Sequence, residues 1–355
     1  MSILIALACI ETPNNPNDPN QDPTVDTAVE DSGQDTDSGQ DTGRDTGRDT
    51  GDTGGRAQDP PEKQDFKRLT ATARQAMVQT FEIDPSEARS IEGEQGTRVF
   101  FASDFVDADG PVKIELVEVF SRGAMLAADV PSTGRNDEGA IAQLVSGGEH
   151  FIAASDEDGE PLALLEPMML MVPAANTGGA DHDMGVFRAA TDAVGIAPDL
   201  DGDVVWEEEK QDRDGFGVEG EGVDASYYML SSEFGWTNID RWYSDPRPKT
   251  TIHVDVPEGW DDENCAVYLS YDGEPTALAQ FDTYDSDTEL FSEHYGLIPV
   301  GLEVHFVFVT ELDGEWSYAI QGATIVEDHV EVFATSGDFE ETDLDGLIAA
   351  VDALP

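Results

Sequence analysis

Five aspartates spaced two apart are the residues that most suggest chemistry. Asp199, Asp201 and Asp203 flank Gly202, and Asp212 and Asp214 precede Gly215. Alternating carboxylates on a glycine-bent loop offer hard oxygens from several directions, and Ca²⁺ takes roughly 6–8 of them. The loop departs from an EF-hand, because the twelfth residue from Asp199 is Lys210 and the glycine stands fourth. Calcium is the one cofactor the sequence points to; the alternative is a solvated acidic turn. The triplet Asp181-His182-Asp183 also carries ligand types, but neighbours on an extended chain point apart and rarely converge on one ion. Six histidines occur without an HExxH pair, and GxSxG, P-loop and GxGxxG patterns are missing. The repeated Asp-Thr-Gly triplets at Asp41, Asp45, Asp49 and Asp52 match the aspartic-protease triplet. They lack the apolar flanks that would hold two carboxylates in a dry cleft.

The densest cluster is Trp236, Asn238, Asp240, Arg241 and Trp242. One reading is an aromatic platform on which sugar rings stack. The other is a plug joining domains, in which Trp236 fills an interface and Asp240 or Arg241 satisfies buried polar groups.

Composition limits what these residues serve. The 355-residue chain has 76 acidic and 18 basic side chains, a net charge of -58. Nucleic-acid backbones and anionic membrane surfaces are thereby excluded as electrostatic partners. The first 65 residues hold 15 acids and 4 bases, so most of the excess lies in the remainder. Such a surface resists aggregation, and screening by salt or divalent cations should stabilise it. Only Cys9 and Cys265 are present, so neither a disulfide framework nor a cysteine-rich zinc site is expected. Cys265 lies in a strand-like run and is expected to be a buried free thiol.

Residues 1–9, MSILIALAC, read as the end of a lipoprotein signal, with Cys9 the lipidated residue. The basic region and most of the apolar stretch of such a signal are lacking, which predicts a start upstream of Met1. Ile10 is not the Asp that retains lipoproteins at the inner membrane, so the outer membrane or cell surface is expected. Residues 10–65 are rich in Gly, Asp, Thr and Pro, with a Gly-x-Asp-Thr repeat over 33–55. This composition predicts a disordered acidic tether spanning on the order of 40 Å.

The rest reads as mainly β: two β-sandwich, immunoglobulin-like modules and a short C-terminal helix. Module 1 covers 66–172, an acidic connecting region 173–225, module 2 covers 226–340, and the helix 341–355. Strands are expected at 97–101, 111–120, 141–146, 149–155, 161–166 and 168–172, with one helix over 121–130. Val112, Ile114 and Leu116 alternate with Lys113 and Glu115 in the half-buried pattern. Phe187 and Trp206 are expected on isolated strands. Val304 to Val309 is apolar on both faces, as in a central strand. Val330 and Val332 alternate with His329 and Glu331, as on an edge. Thr342 is the expected N-cap of the final helix, with Leu344, Leu347, Ile348, Val351 and Leu354 as its apolar stripe.

The string GTRVFFASDFVDADGPVKIELVEVFSRGAML, then LVSGGEHFIAA, resembles a β-rich module of uncharacterised secreted proteins of Bacteroidota. SEFGWTNIDRWY is similar to that family's Phe-Gly-Trp-x-Asn-x-Asp-Arg motif, and the tether resembles those of myxobacterial surface lipoproteins. The resemblance covers about 78–333 and implies an exported protein with tandem β modules. The family often carries Cys where this chain has Ile239. The first module is also loosely similar to the β-sandwich of netrin receptors and ankyrins, some of which self-cleave at His-Phe-Ser. Here His150-Phe151-Ile152 and His305-Phe306-Val307 lack the serine nucleophile.

The expected function is a non-catalytic cell-surface lipoprotein. Its partners would be the membrane, through the lipid, and a protein or glycan ligand. The alternatives are a secreted hydrolase using a carboxylate pair and a calcium-dependent adhesin.

Overall fold

Alternating burial, not helical periodicity, organises most of the chain. The structure is a computed structural model and describes residues 59–190, 204–210, 215–293 and 296–355. Cys9, residues 10–58 of the expected tether and the aspartates Asp199, Asp201, Asp203, Asp212 and Asp214 lie outside the described residues, while the end of the expected tether, from Lys63, already belongs to a helix. The elements in order are α1 (Lys63–Ala76), β1 (Gln79–Ile83), β2 (Arg89–Glu92), β3 (Arg98–Phe101), β4 (Val112–Val119), α2 (Arg122–Ala128), β5 (Thr133–Arg135), β6 (Ile141–Ser155), β7 (Met168–Pro173), β8 (Gly185–Ala189), β9 (Trp206–Glu209), β10 (Phe216–Glu219), β11 (Ser226–Ser231) and β12 (Gly235–Trp242). The second half continues with β13 (Lys249–Thr250), β14 (His253–Asp255), β15 (Cys265–Tyr271), β16 (Leu278–Gln280), β17 (Thr283–Asp285), β18 (Leu290–Ser292), β19 (Ile298–Pro299), β20 (Glu303–Leu312), β21 (Glu315–Thr324), β22 (Val330–Val332), β23 (Glu340–Thr342) and α3 (Leu344–Asp352). The fold is mainly β, with a short C-terminal helix.

Sheet 1 runs β1-β4-β6-β12-β8-β9-β5, and sheet 2 runs β10-β11-β7-β3-β2. Their facing side chains share one core: Ile114, Leu116, Ile152 and Ile239 from sheet 1 meet Val99, Leu170, Val172 and Tyr227 from sheet 2. Sheet 3 runs β17-β18-β14-β22 and sheet 4 runs β16-β15-β20-β21-β23. A second core lies between these two, built on Val254, Phe291, Val267, Phe306 and Phe308. Each such apolar side chain taken from water contributes about 1.5–3 kcal/mol.

A third core joins the two halves. The other face of sheet 1 gives Val117, Val119, Phe151 and Trp236, and the other face of sheet 4 gives Tyr268, Val307, Val309 and Trp316. Met125 and Leu126 of α2 and Leu347 and Val351 of α3 pack among them. Both faces of β15 and β20 are therefore covered, as the apolar run 304–309 predicts. Arg122 in α2 is fully buried and ties the halves further. Its guanidinium donates to Ser270 Oγ (2.5 Å) and to the carbonyls of Leu354 and Pro355. Tyr268 donates its hydroxyl to Asp129 at the end of α2 (2.7 Å).

Sheet 1 also curls. The first half of β6 pairs with β5, which pairs in parallel with β9, so β6, β12, β8, β9 and β5 close a five-strand ring. Phe187 and Trp206, expected on isolated strands, sit in this ring and are almost fully buried.

Several expectations need correction. The strands 226–242 belong to the first half, pairing with β7, β6 and β8. The seam in the chain therefore falls after Trp242 and not at 226, and 173–225 contributes β8 and β9 to sheet 1 and β10 to sheet 2. Residues 141–146 and 149–155 form one strand, β6, interrupted by a bulge. The segment 161–166 makes only an isolated bridge, Ser155 to Pro161. Helix α1, absent from the sequence reading, lays Phe66, Leu69 and Ala73 on the third core. Asp343, not Thr342, caps α3, its carboxylate accepting from Gly346 N (2.8 Å). The expected helix over 121–130 is α2, capped by Ser121.

Candidate functional site

All five residues of the Trp236–Trp242 cluster lie on β12, in the middle of sheet 1. Alternation puts Trp236, Asn238, Asp240 and Trp242 on the face lining the ring and the third core. Arg241 faces the other way. Trp236 is 3% exposed and packs on Phe151 (5.5 Å between centroids) and Trp206 (6.4 Å). It fills the core and offers no platform to solvent.

Beside Trp236 the strand turns polar. The pairing of β12 with β6 slips between Asn238 and Asp240: Asn238 faces Glu149, and Asp240 faces Ser146. One extra residue on β6 makes this a β-bulge, and the bulge contains Gly147 and Gly148. Gly148 adopts φ +132°, where a side chain would be strained and would also strike the ring of Phe120. The bulge changes which residues of β6 face inward and turns Glu149 toward Asn238. The Asn238 amide nitrogen donates to Glu149 Oε1 (3.2 Å) and to Asp240 Oδ2 (2.7 Å), while its oxygen accepts from Ser146 Oγ (2.9 Å). Ser146 Oγ accepts in turn from Gly148 N (3.0 Å).

Glu149 and Asp240 are completely buried, and Glu149 Oε2 and Asp240 Oδ1 have no hydrogen-bond partner among the described residues. Burial pushes both carboxyls well above the ordinary carboxylate range, and the neighbouring Asp240 raises Glu149 further. Burial thus favours the protonated form of each acid, and one amide bridges the two. Sequence spacing singled out Asp240 but not Glu149, whose inward orientation depends on the bulge. The Ser-Gly-Gly-Glu string was the available signal.

On the opposite face of β4 and β6 lies a second polar cluster that the sequence reading did not pick out. Glu118 accepts from Gln79 Nε2, Gln95 N and Thr97 N, each at 2.9 Å. Thr97 Oγ1 lies 3.0 Å from His150 Nε2, and both residues have no exposed surface. Burial lowers His150 to about 4, so the imidazole is neutral at ordinary pH. A hydroxyl beside a neutral imidazole is the arrangement of an activated nucleophile, yet this one is sealed from solvent.

Arg241 sits nearer the surface. Its Nε donates to Asp181 Oδ2 (2.7 Å), and its Nη2 reaches Glu274 Oε2 (3.2 Å) in the β15–β16 turn. The ion pair thus links the two halves of the fold. In the Asp181-His182-Asp183 triplet, Asp181 is committed to Arg241 and to Asp183 N. Among the described residues no three His, Cys, Asp or Glu side chains could hold a metal ion together.

Trp242, at the end of β12, is only partly buried. It packs edge-on against Phe187 (5.5 Å) and donates its indole N–H to Glu208 Oε2 (3.2 Å). Cys265 is a buried free thiol in the second core, its titration pushed well up by burial.

No protein-family model matches this chain, and no curated protein matches it.

Proposed function

We propose that the chain is a non-catalytic bacterial cell-surface protein. Lipid on Cys9 anchors it, residues 10–65 act as a spacer, and the paired sandwiches form a binding or envelope-structural head. The observation that carries this reading is the burial of its most distinctive side chains. Trp236, Asn238, Asp240 and Glu149 are closed off from substrate, although a carboxylate pair is what glycoside hydrolysis needs. Two buried acids joined by an amide tie β6 to β12 within sheet 1. Two facing sheets around each of two cores support the immunoglobulin-like reading of the modules, and the acidic composition supports an exposed location.

The anchor is tested by feeding an alkyne-tagged fatty acid to cells expressing the natural gene. The reading predicts label on the protein, loss of that label in Cys9→Ser, and cleavage of intact-cell protein by added protease. A protein that carries no label and is protected inside intact cells would contradict it.

A further inference from the structure

We propose that the rim of the five-strand ring binds an organic ammonium group, with the indole of Trp242 as its platform. The proposal rests on reading the chain as a binding protein and names the chemistry of the ligand.

Strand ends assemble the rim. Trp242 ends β12, Arg135 ends β5, residues 136–140 form the turn from β5 to β6, and Glu207 and Glu208 lie on β9. They enclose an open cleft of about 470 Å³. The mouth of a closed β structure is a recurrent place for small-molecule sites, and this volume suits a small polar group.

Three features of the cleft select a cation. The first is the ring itself. Trp242 is held by the edge of Phe187 and lies over Gly134, where an added Cβ would come within 3.1 Å of the indole. The platform is therefore fixed before a ligand arrives. The second is Glu208, whose carboxylate accepts the indole N–H. A negative charge at that edge raises the electron density of the ring face, which strengthens its attraction for a cation.

The third is the charge balance. Arg135 pairs with Glu207 (3.2 Å), and Lys210 pairs with Asp137 (2.8 Å). Glu208 and Glu138 form no ion pair among the described residues, which bring four carboxylates and two cations to the rim. That excess repels anions; a neutral polyol gains contact with the ring and hydrogen bonds to the carboxylates but nothing from the net charge, whereas an ammonium group uses both the ring and the charge. An alkylammonium of this kind occurs in a choline-type headgroup and, as a primary amine, in lysine or an amino sugar.

The test is calorimetric titration of the full chain with choline, Nα-acetyl-lysine amide and glucosamine, with N-acetylglucosamine as the neutral control. At least one ammonium probe should bind, and more weakly as salt rises. Trp242→Ala should weaken that binding by about tenfold or more. Trp242→Phe should retain part of it, and Glu208→Gln should lose several-fold while its circular dichroism matches the parent. Choline binding without lysine-amide binding assigns a quaternary source; the reverse assigns a primary amine. Absence of binding by every ammonium probe overturns the proposal. So does equal binding of N-acetylglucosamine, or affinity unchanged in Glu208→Gln and Trp242→Phe. Such a failure leaves the fatty-acid label on Cys9 untouched, whereas loss of that label with ammonium binding intact removes only the surface-anchor reading.

Discussion

The two halves of the fold bury carboxylates in different ways. In the second half the core is almost wholly apolar, with Phe281, Phe291, Phe306, Phe308 and Phe333 around Cys265. Its most deeply buried acid among the described residues, Glu293, accepts from Ile252 N (3.0 Å) and Gly296 N (2.7 Å). Glu118 in the first half is treated similarly, with three N–H donors. Glu149 and Asp240 are not: they share one amide, and each keeps an oxygen with no hydrogen-bond partner among the described residues. Where backbone donors converge, a buried carboxylate is satisfied locally. Where they do not, burial dominates and the neutral acid is favoured. The β-bulge makes the difference, because it interrupts the ladder and faces two acids across one asparagine.

The largest effect should come from breaking the join between the halves. Leu347 is fully buried in the third core, and Leu347→Asp would put a charge there without a partner. Thermal or urea unfolding of the full chain should show a loss of about 4 kcal/mol or more. An unchanged midpoint would show that α3 does not hold the halves together.

A smaller effect should follow within the polar cluster. Asn238→Ala removes the amide common to Glu149 and Asp240 and leaves Ser146 without its acceptor. A loss of about 2 kcal/mol is expected in urea unfolding. In contrast, Asn238→Asp should cost more than Asn238→Ala at neutral pH, because it adds a third acid and removes the donor that Glu149 and Asp240 share. Smaller still is Thr97→Val, which deletes the partner of His150 Nε2 but keeps the shape; about 1 kcal/mol is expected from the same measurement. If Thr97→Val costs more than Asn238→Ala, the weakly satisfied site is the histidine and not the acid pair.

Much of the fold was legible in the sequence. The alternation in 112–117, the two-sided apolar run 304–309, and the Leu347–Val351 stripe all mark elements that exist. Strand 161–166 was over-read. Leu162 and Leu164 alternate, but Pro161 and Pro167 bound the segment and cannot donate to a ladder, so the leucines pack from a loop. At 329–332 the expected edge strand exists as β22, the outermost strand of sheet 3. Val330 and Val332 are exposed, while His329 stacks on Phe306 (5.5 Å) and bonds Glu331. A period of two reports alternation and not which face is inward. Helix α1 carried a readable stripe in Phe66, Leu69 and Ala73 but directly follows the low-complexity segment.

The site was legible only in part. Trp236, Asn238, Asp240 and Trp242 share a face by alternation alone. Glu149 joins them because β6 carries an extra residue, and Glu208 meets Trp242 because the sheet closes on itself. Both depend on pairing between distant segments, which local pattern does not encode.

The acid pair gives the most direct test. A carboxyl whose folded-state pKa is raised binds its proton more tightly in the folded than in the unfolded chain. Its stabilising contribution is full below about pH 4 and is lost as pH rises toward the folded-state value. Comparing melting temperatures of the full chain and of the Glu149→Gln/Asp240→Asn double variant from acid to alkaline pH isolates this contribution from the general acidic repulsion. The variant carries amides in place of the neutral acids and cannot ionise there. Its melting temperature should therefore rise relative to the parent as pH increases. Parallel profiles across the whole range would contradict the account.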